Sequence, residues 1–442
     1  MGAGELLGEV LREVEDVEGV QVVEGGGRDV SVTSKVLAAL LITLVVGLLV
    51  ARRTLDRDGG SHPTAQPGHA GHGGHSGAAP VGVDWTRVTD RDLDIAELFV
   101  IARRQGVAPA LRRLETLAAG DTAFHNMGHV IAHALGRFAV AQRDGDPAVY
   151  AGCREVFQAG CNHGVMEGYF ASPRAAAEDA VAARTLDALC AGITRPGAAR
   201  LVSLECAHGM GHGLVIRYQG DARQALEACD HLTQRDARDE CHDGVFMENA
   251  VRGTTSADMR VGDAAVQAGA ASREQKPLVN RDDLTYPCGD VAPPYRASCW
   301  KYQPIIIVDA VRGDEGRTLD TCARAPLGFQ DECYFGIGKQ GSGWWADQRR
   351  VAGLCERVPS PHTASCIAGA VESYLDEMWT VDRAIAFCGV VSGAAKPGCY
   401  EAIGARLAIM RTDYRAIESE CRHAETGFAS ACATGARDRL RG

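Results

Sequence analysis

The cysteines of this chain keep a fixed beat. Cys288/Cys299, Cys322/Cys333, Cys355/Cys366, Cys388/Cys399 and Cys421/Cys432 each enclose ten residues, and their first members recur every 33 or 34 positions. Three looser pairs, Cys153/Cys161, Cys190/Cys206 and Cys229/Cys241, complete the sixteen. A constant period of this size is the signature of a repeat architecture. An even count in which every member has a near neighbour marks structural disulfides. Ten intervening residues are far from the short CxxC knuckle that zinc favours. Disulfides persist in secreted, periplasmic or cell-surface settings and are rare in cytosol, so the repeats are expected outside the cytoplasm.

The segments between cysteines read as helix. Ala, Leu, Arg and Glu dominate from Trp85 onward, and the β-branched run IIIV at 305–308 is the main exception. One helix runs into the first cysteine, as in RAIAFC ending at Cys388; a short loop follows; the second cysteine opens the next helix, as in CIAGAVESYLDEMW from Cys366. Closing such a loop contributes about 2.5–3 kcal/mol in the chain-entropy model. The expected fold is all-α: disulfide-stapled αα-hairpin repeats, wound into a solenoid or a partly closed α/α ring, behind one transmembrane helix. In outline this resembles known disulfide-stapled αα-repeat proteins. Cysteine spacing and glycine offsets differ from theirs, so no functional residue is carried over.

The anchor is read from Val36–Ala51, sixteen residues without a charge, which reach the lower limit for spanning when Thr33 and Ser34 sit at the interface. An acidic lead-in and the lack of an A-x-A exit argue against a cleaved signal peptide. Residues 1–33 form an acidic tail whose eight acidic and two basic side chains supply −6 of the net −11. The remaining surface is mildly acidic with no basic stripe, which argues against nucleic-acid binding. Arg52 and Arg53 after the span favour a cytoplasmic C-terminus by the positive-inside rule. Eight disulfides outweigh them, which places the tail in the cytoplasm, the span at 34–51 in the cell membrane, and the repeats outside. Residues 52–84 are a Gly/Pro/His-rich linker in which His62, His69, His72 and His75 offer imidazoles for weak metal capture or are merely tolerated in a tether. His-rich helical repeats then occupy 85–252, an insertion loop 253–287, and the regular repeats 288–442. The insertion is signalled by 47 positions from Cys241 to Cys288, against 22 or 23 between regular repeats.

The chemistry gathers in the early repeats, where eight of the fourteen histidines fall between 125 and 242. CNHGVMEG from Cys161 and CAHGMGHG from Cys206 share a theme with HNMGHVIAH from His125. Aligned on their histidines, they place His129/His133, His163/Glu167 and His208/His212 at equivalent offsets, with His125 one turn away. Each pair is spaced i,i+4 and projects from one helical face. The fourth repeat, CHDGVFMEN from Cys241, reads as a degenerate edge of the same site. The glycines Gly164, Gly209 and Gly244 allow close backbone approach, for packing or for access to an ion. A single buried histidine is ordinarily a hydrogen-bonded core residue. Recurrence at paired offsets, lost in later repeats where Phe335/Lys339 and Ala368/Glu372 stand instead, points to a shared site.

With thiolates oxidised, imidazole and carboxylate remain as ligands, which suits zinc, iron or copper and disfavours calcium or magnesium. Two groups of three histidines, His125/His129/His133 and His163/His208/His212, are numerically compatible with a paired copper site. No HExxH is present, and GIGKQG at 336–341 lies in a helical repeat without the strand a dinucleotide fingerprint requires. The expected function is a membrane-anchored extracytoplasmic metal-binding protein, either a redox or hydrolytic metalloenzyme or a metal-handling or sensing protein. An interaction scaffold with a protein partner is the alternative.

Overall fold

The computed structural model describes residues 90–195, 197–254, 277–345 and 347–441. The acidic tail, the expected anchor, the His-rich linker and most of the insertion lie outside these residues. Among the described residues no helix is long and apolar enough to cross a membrane, and none forms a strand.

In chain order the helices are α1 (Asp90–Gln105), α2 (Val107–Gly120), α3 (Thr122–Ala141), α4 (Gly160–Ala171), α5 (Pro173–Ala177) and α6 (Ala183–Ile193). Then come α7 (Arg200–Arg217), α8 (Ala222–Cys229), α9 (Arg235–Gly253), α10 (Arg296–Ala310), α11 (Glu315–Ala323) and α12 (Gln330–Trp345). The last six are α13 (Gln348–Glu356), α14 (Thr363–Met378), α15 (Asp382–Val390), α16 (Lys396–Met410), α17 (Tyr414–Cys421) and α18 (Ala429–Arg441).

They sort into two rows. Outer helices α8, α11, α13, α15 and α17 are eight or nine residues long and carry the first cysteine of a pair near their C-termini. Four of them start on an aspartate cap, Asp221, Asp314, Asp347 or Asp413, eight residues before that cysteine. Each carboxylate accepts from a first-turn N–H, an interaction of about 1 kcal/mol. The inner row is α3, α4, α7, α9, α10, α12, α14, α16 and α18, each packed against the next. All eight expected disulfides are present, with Cα separations of 5.4–5.8 Å, the usual range. Five join the two rows, while Cys153 and Cys288 tie turns, and Cys190 ties α6, to the inner row. No cysteine is free.

Reciprocal glycines set how closely inner helices approach. A Cβ on Gly164 would collide with the carbonyl oxygen of His133, and one on Gly136 with that of Cys161. The pair α7/α9 repeats this: Gly244 faces the carbonyl of His208, and Gly211 that of Cys241. The glycines flanking the histidines therefore serve packing, and they fix the backbone that carries His133 and His208. They also correct the alignment made on histidine spacing. Gly136 and Gly211 occupy the same structural position, so His133 is equivalent to His208, not to His212. The first helix is shifted by one turn, and His129 extends the row toward the N-terminus.

A substitution follows from this contact. Gly164→Ala and Gly244→Ala should each lower stability by about 1–3 kcal/mol, because the helices must move apart. Gly353→Ala on the outer helix α13, where nothing lies within 4 Å of the new methyl, should be neutral or stabilising by up to about 1 kcal/mol. Thermal unfolding of the three variants measures the contrast; equal melting temperatures would sink the packing argument.

The coil turns back on itself. Helix α16 touches α7, and the turn before α4 reaches the end of α14. Phe157, Gln158 and Ala159 all have left-handed backbones, with φ of 53°, 52° and 55°, a conformation costing about 1–3 kcal/mol per non-glycine residue. The run is held from both sides: the Phe157 and Gln158 N–H groups donate to Glu377 and Asp376 carbonyls at 2.5 and 3.0 Å. The Gln158 side chain donates to Ser373 Oγ at 3.0 Å. The end of the expected insertion loop is docked on the fold. Asn249 bonds both backbone groups of Leu278, at 2.7 and 3.2 Å, and the Gln303 amide donates to Leu284 and Tyr286 carbonyls at 2.8 Å.

Candidate metal centre

Helices α3, α4, α7 and α9 turn one face each toward the inside of the coil. His133, His163 and His208 form a row there, with ring centroids 5.3 Å apart between the first two and 4.9 Å between the last two. One turn further along each helix stand Arg137, Glu167, His212 and Met247. His129 lies one turn before His133, its ring centroid 4.6 Å from that of His133 and 5.9 Å from that of His163.

Each of these imidazoles has one nitrogen facing an oxygen. His129 Nδ1 lies 2.7 Å from the Phe157 carbonyl oxygen, which can only accept, so Nδ1 carries the hydrogen. The strained turn thus delivers the carbonyl that orients His129. His133 Nδ1 donates to Glu167 Oε1 at 2.8 Å, and Arg137 pairs with the other Glu167 oxygen. His212 Nδ1 donates to Glu248 Oε2 at 2.9 Å. His163 Nε2 is 2.9 Å from Glu205 Oε2, and His208 Nδ1 faces Glu240 Oε2 at 3.6 Å. Carboxylate–imidazole pairs of this kind orient metal-binding histidines and raise their basicity.

The second nitrogens are then left with lone pairs. Nε2 of His129 and Nε2 of His133 face one another at 3.1 Å. Two lone pairs at that distance repel unless a cation lies between them. Metal–nitrogen bonds of about 2.0–2.1 Å place neighbouring ligand nitrogens roughly 2.9–3.4 Å apart. A shared proton would satisfy this pair alone. Nδ1 of His163 and Nε2 of His212 are also buried with no hydrogen-bond partner, on residues only 3% and 2% exposed. Orphaned polar atoms of this kind are costly, and an ion explains them where a proton on His133 does not. Among the described residues, donor atoms lie within 4.8 Å of one another in three sets: His129/His133/His163, His163/His208/His212 and Glu167/His212/Glu248. These buried groups can hold a metal ion.

Electrostatics keep the imidazoles in the ligand form. Burial, reinforced by neighbouring His133, holds His129 down to about 3. Burial and the neighbour His208 push His163 well below its usual range, and burial with His212 does the same to His208. Burial alone would raise Glu167, but His133 and Arg137 overcome it and hold the carboxyl well below the usual range. Glu205 goes the other way, up to about 8, through burial and the adjacent Asp376. A cation on His163 Nδ1 selects the ionised carboxylate, because Nε2 must then carry the hydrogen.

Two small cavities flank the cluster. One, about 40 Å³, is bounded by His129, His133, Glu167, His212 and Glu248. The other, about 50 Å³, separates His129, His163 and His208 from Lys339, Glu372 and Arg406 on the returning helices. Each has room for a few waters. Arg406 pairs with Asp376 and with Glu372 at 3.1 Å, Lys339 with Glu372 at 2.5 Å, and Lys301 with Asp243 at 2.5 Å.

Six of the seven residues expected from sequence therefore meet in one place. His125 does not: it lies at the seam, against Glu377 and 2.6 Å from Arg383 Nη1. The grouping of His125 with His129 and His133 fails for that reason. His242 also turns away, its Nε2 bonded to Asp230 at 3.0 Å and its ring edge-on to Tyr295. Sequence reasoning missed Glu205 and Glu240, although each immediately precedes the second cysteine of its pair. No family model matches this chain, and neither does any curated protein or solved structure.

Proposed function

We propose that this is an extracytoplasmic metal-binding protein, held at the membrane through the span at 34–51, with a transition metal ion in the histidine cluster. The carrying observation is the set of lone pairs aimed inward: His129 and His133 Nε2 at 3.1 Å, beside the orphaned His163 Nδ1. His129, His133 and His163 are the proposed first ligands, with Glu167 orienting His133 and with His208 and His212 completing the cluster. Imidazole donors favour zinc, iron or copper. Eight disulfides support the extracytoplasmic placement. The His-rich linker supplies weak capture upstream of the site.

The flanking cavities favour chemistry on molecules of very few atoms. An ion here would serve as a Lewis acid or redox centre for water-sized species, and the metal-handling role needs no more room than this. A scaffold for protein partners is less well supported, since the inner face is occupied by the ion pairs of Lys301, Lys339 and Arg406. Elemental analysis of the full chain, after growth with zinc, iron and copper available, tests the proposal. Bound metal that survives replacement of His62, His69, His72 and His75 supports it, and metal-free protein overturns it. Impermeant thiol labelling of intact cells under reducing conditions tests the placement: shielded cysteines would put the repeats inside.

A further inference from the structure

We propose that the cluster holds two metal ions, with His163 between them; this rests on the metal-binding reading above. The donors are too many and too spread for one ion. A four-coordinate site takes four ligands, whereas five imidazoles converge here. The sets His129/His133/His163 and His163/His208/His212 share only one ring. His163 stands between them, with centroids 5.9 Å from His129 and 4.9 Å from His208.

An ion placed on His129, His133 and His163 resolves the facing Nε2 atoms and the His163 orphan. It leaves His212 Nε2 buried with no partner. A second ion on His208 and His212 resolves that atom as well. Because Nε2 of His163 is committed to Glu205, its single free lone pair serves one ion. One ion then has three imidazoles and the other two, and solvent from the flanking cavities fills what remains.

The groups that back the imidazoles are spread over the whole cluster. Four carboxylates each back a different imidazole: Glu167 behind His133, Glu205 behind His163, Glu248 behind His212 and Glu240 behind His208. His129 is backed by a neutral carbonyl. Three of the carboxylate pairs are hydrogen-bonded, the carboxylate–histidine arrangement of metal sites repeated three times, and Glu240 stands further off, 3.6 Å from His208 Nδ1.

The test counts ions. The full chain, with His62, His69, His72 and His75 replaced by alanine, is stripped and titrated with Co²⁺ and with Cu²⁺, then dialysed and analysed for metal. Two equivalents are expected. The double variants His129→Ala/His133→Ala and His208→Ala/His212→Ala should each retain one. One equivalent in the parent chain overturns the two-ion proposal while leaving the metal centre intact. No equivalent overturns both. Should a double variant fail to fold, judged by circular dichroism and disulfide mapping, the parent stoichiometry decides alone.

Discussion

Replacing His163 with alanine is expected to weaken metal binding by at least about 100-fold. It offers its one unpartnered nitrogen beside those of His129 and His133, and its loss leaves the remaining buried imidazoles with their desolvation cost and fewer bonds to the ion. The oriented-ligand argument adds a graded result. Glu205→Gln removes the carboxylate that fixes His163 without removing a ligand, and loss of such a partner ordinarily costs 10–100-fold in affinity. Alanine at His362 or His423 should leave affinity unchanged. His362 lies outside the cluster, bonded to Asp331 at 2.9 Å and stacked on Tyr334. Competition with a chelator of known strength reads all four variants, and unfolding of the metal-free forms separates lost binding from lost folding. Unchanged affinity in His163→Ala would remove the central ligand from the proposal.

What could be read in advance, and what could not, follows from the range of the interactions. The disulfides were legible because each closes a local loop on a fixed beat. The pairs His163/Glu167 and His208/His212 were legible because i,i+4 spacing is a property of one helix. The register of His133 was not, since it depends on Gly136 meeting the Cys161 carbonyl on another helix. His125 looked like one more ligand by spacing, but the seam that captures it joins residues some 250 positions apart. That seam depends on a left-handed run at 157–159 which contains no glycine to announce it. The run Ile305–Val308 reads as strand and lies buried in α10, where packing on both sides outweighs a helix penalty of a few tenths of a kcal/mol per residue. The acids behind the imidazoles were hidden by the cysteines beside them: Glu205 and Glu240 looked like ordinary charges at a helix start.

The metal-free protein is expected to lose stability steeply as pH falls below about 6.5, the ordinary histidine value. His163 and His208 are buried and held well below their usual range, chiefly by that burial, and His129 is held down to about 3. The unfolded chain takes up these protons as pH drops through 6.5, while the folded chain refuses them until much lower pH. The unfolded state therefore binds more protons in this window, and stability falls with pH by about 1.4 kcal/mol per unit for each such group. His163 and His208 together give roughly 3 kcal/mol per unit, with a smaller share from the partly exposed His129. Glu205 opposes them. Its folded value of about 8 lies above the ordinary carboxylate range, so it contributes stability at low pH that is lost as pH rises toward 8. The opposition removes about 1.4 kcal/mol per unit between pH 4.5 and 6.5, leaving a net fall of order 2 kcal/mol per unit on acidification. Above 6.5 the histidine contribution is complete and only the loss from Glu205 continues, so stability should peak near pH 6.5. Bound metal should be released in the same acidic window, since protons on the unfolded imidazoles compete with it. Urea unfolding of stripped protein from pH 4.5 to 8, disulfides intact, measures the curve. A flat profile below pH 6.5 would mean that these histidines are not buried in neutral form, and the ligand geometry would have to be abandoned with them.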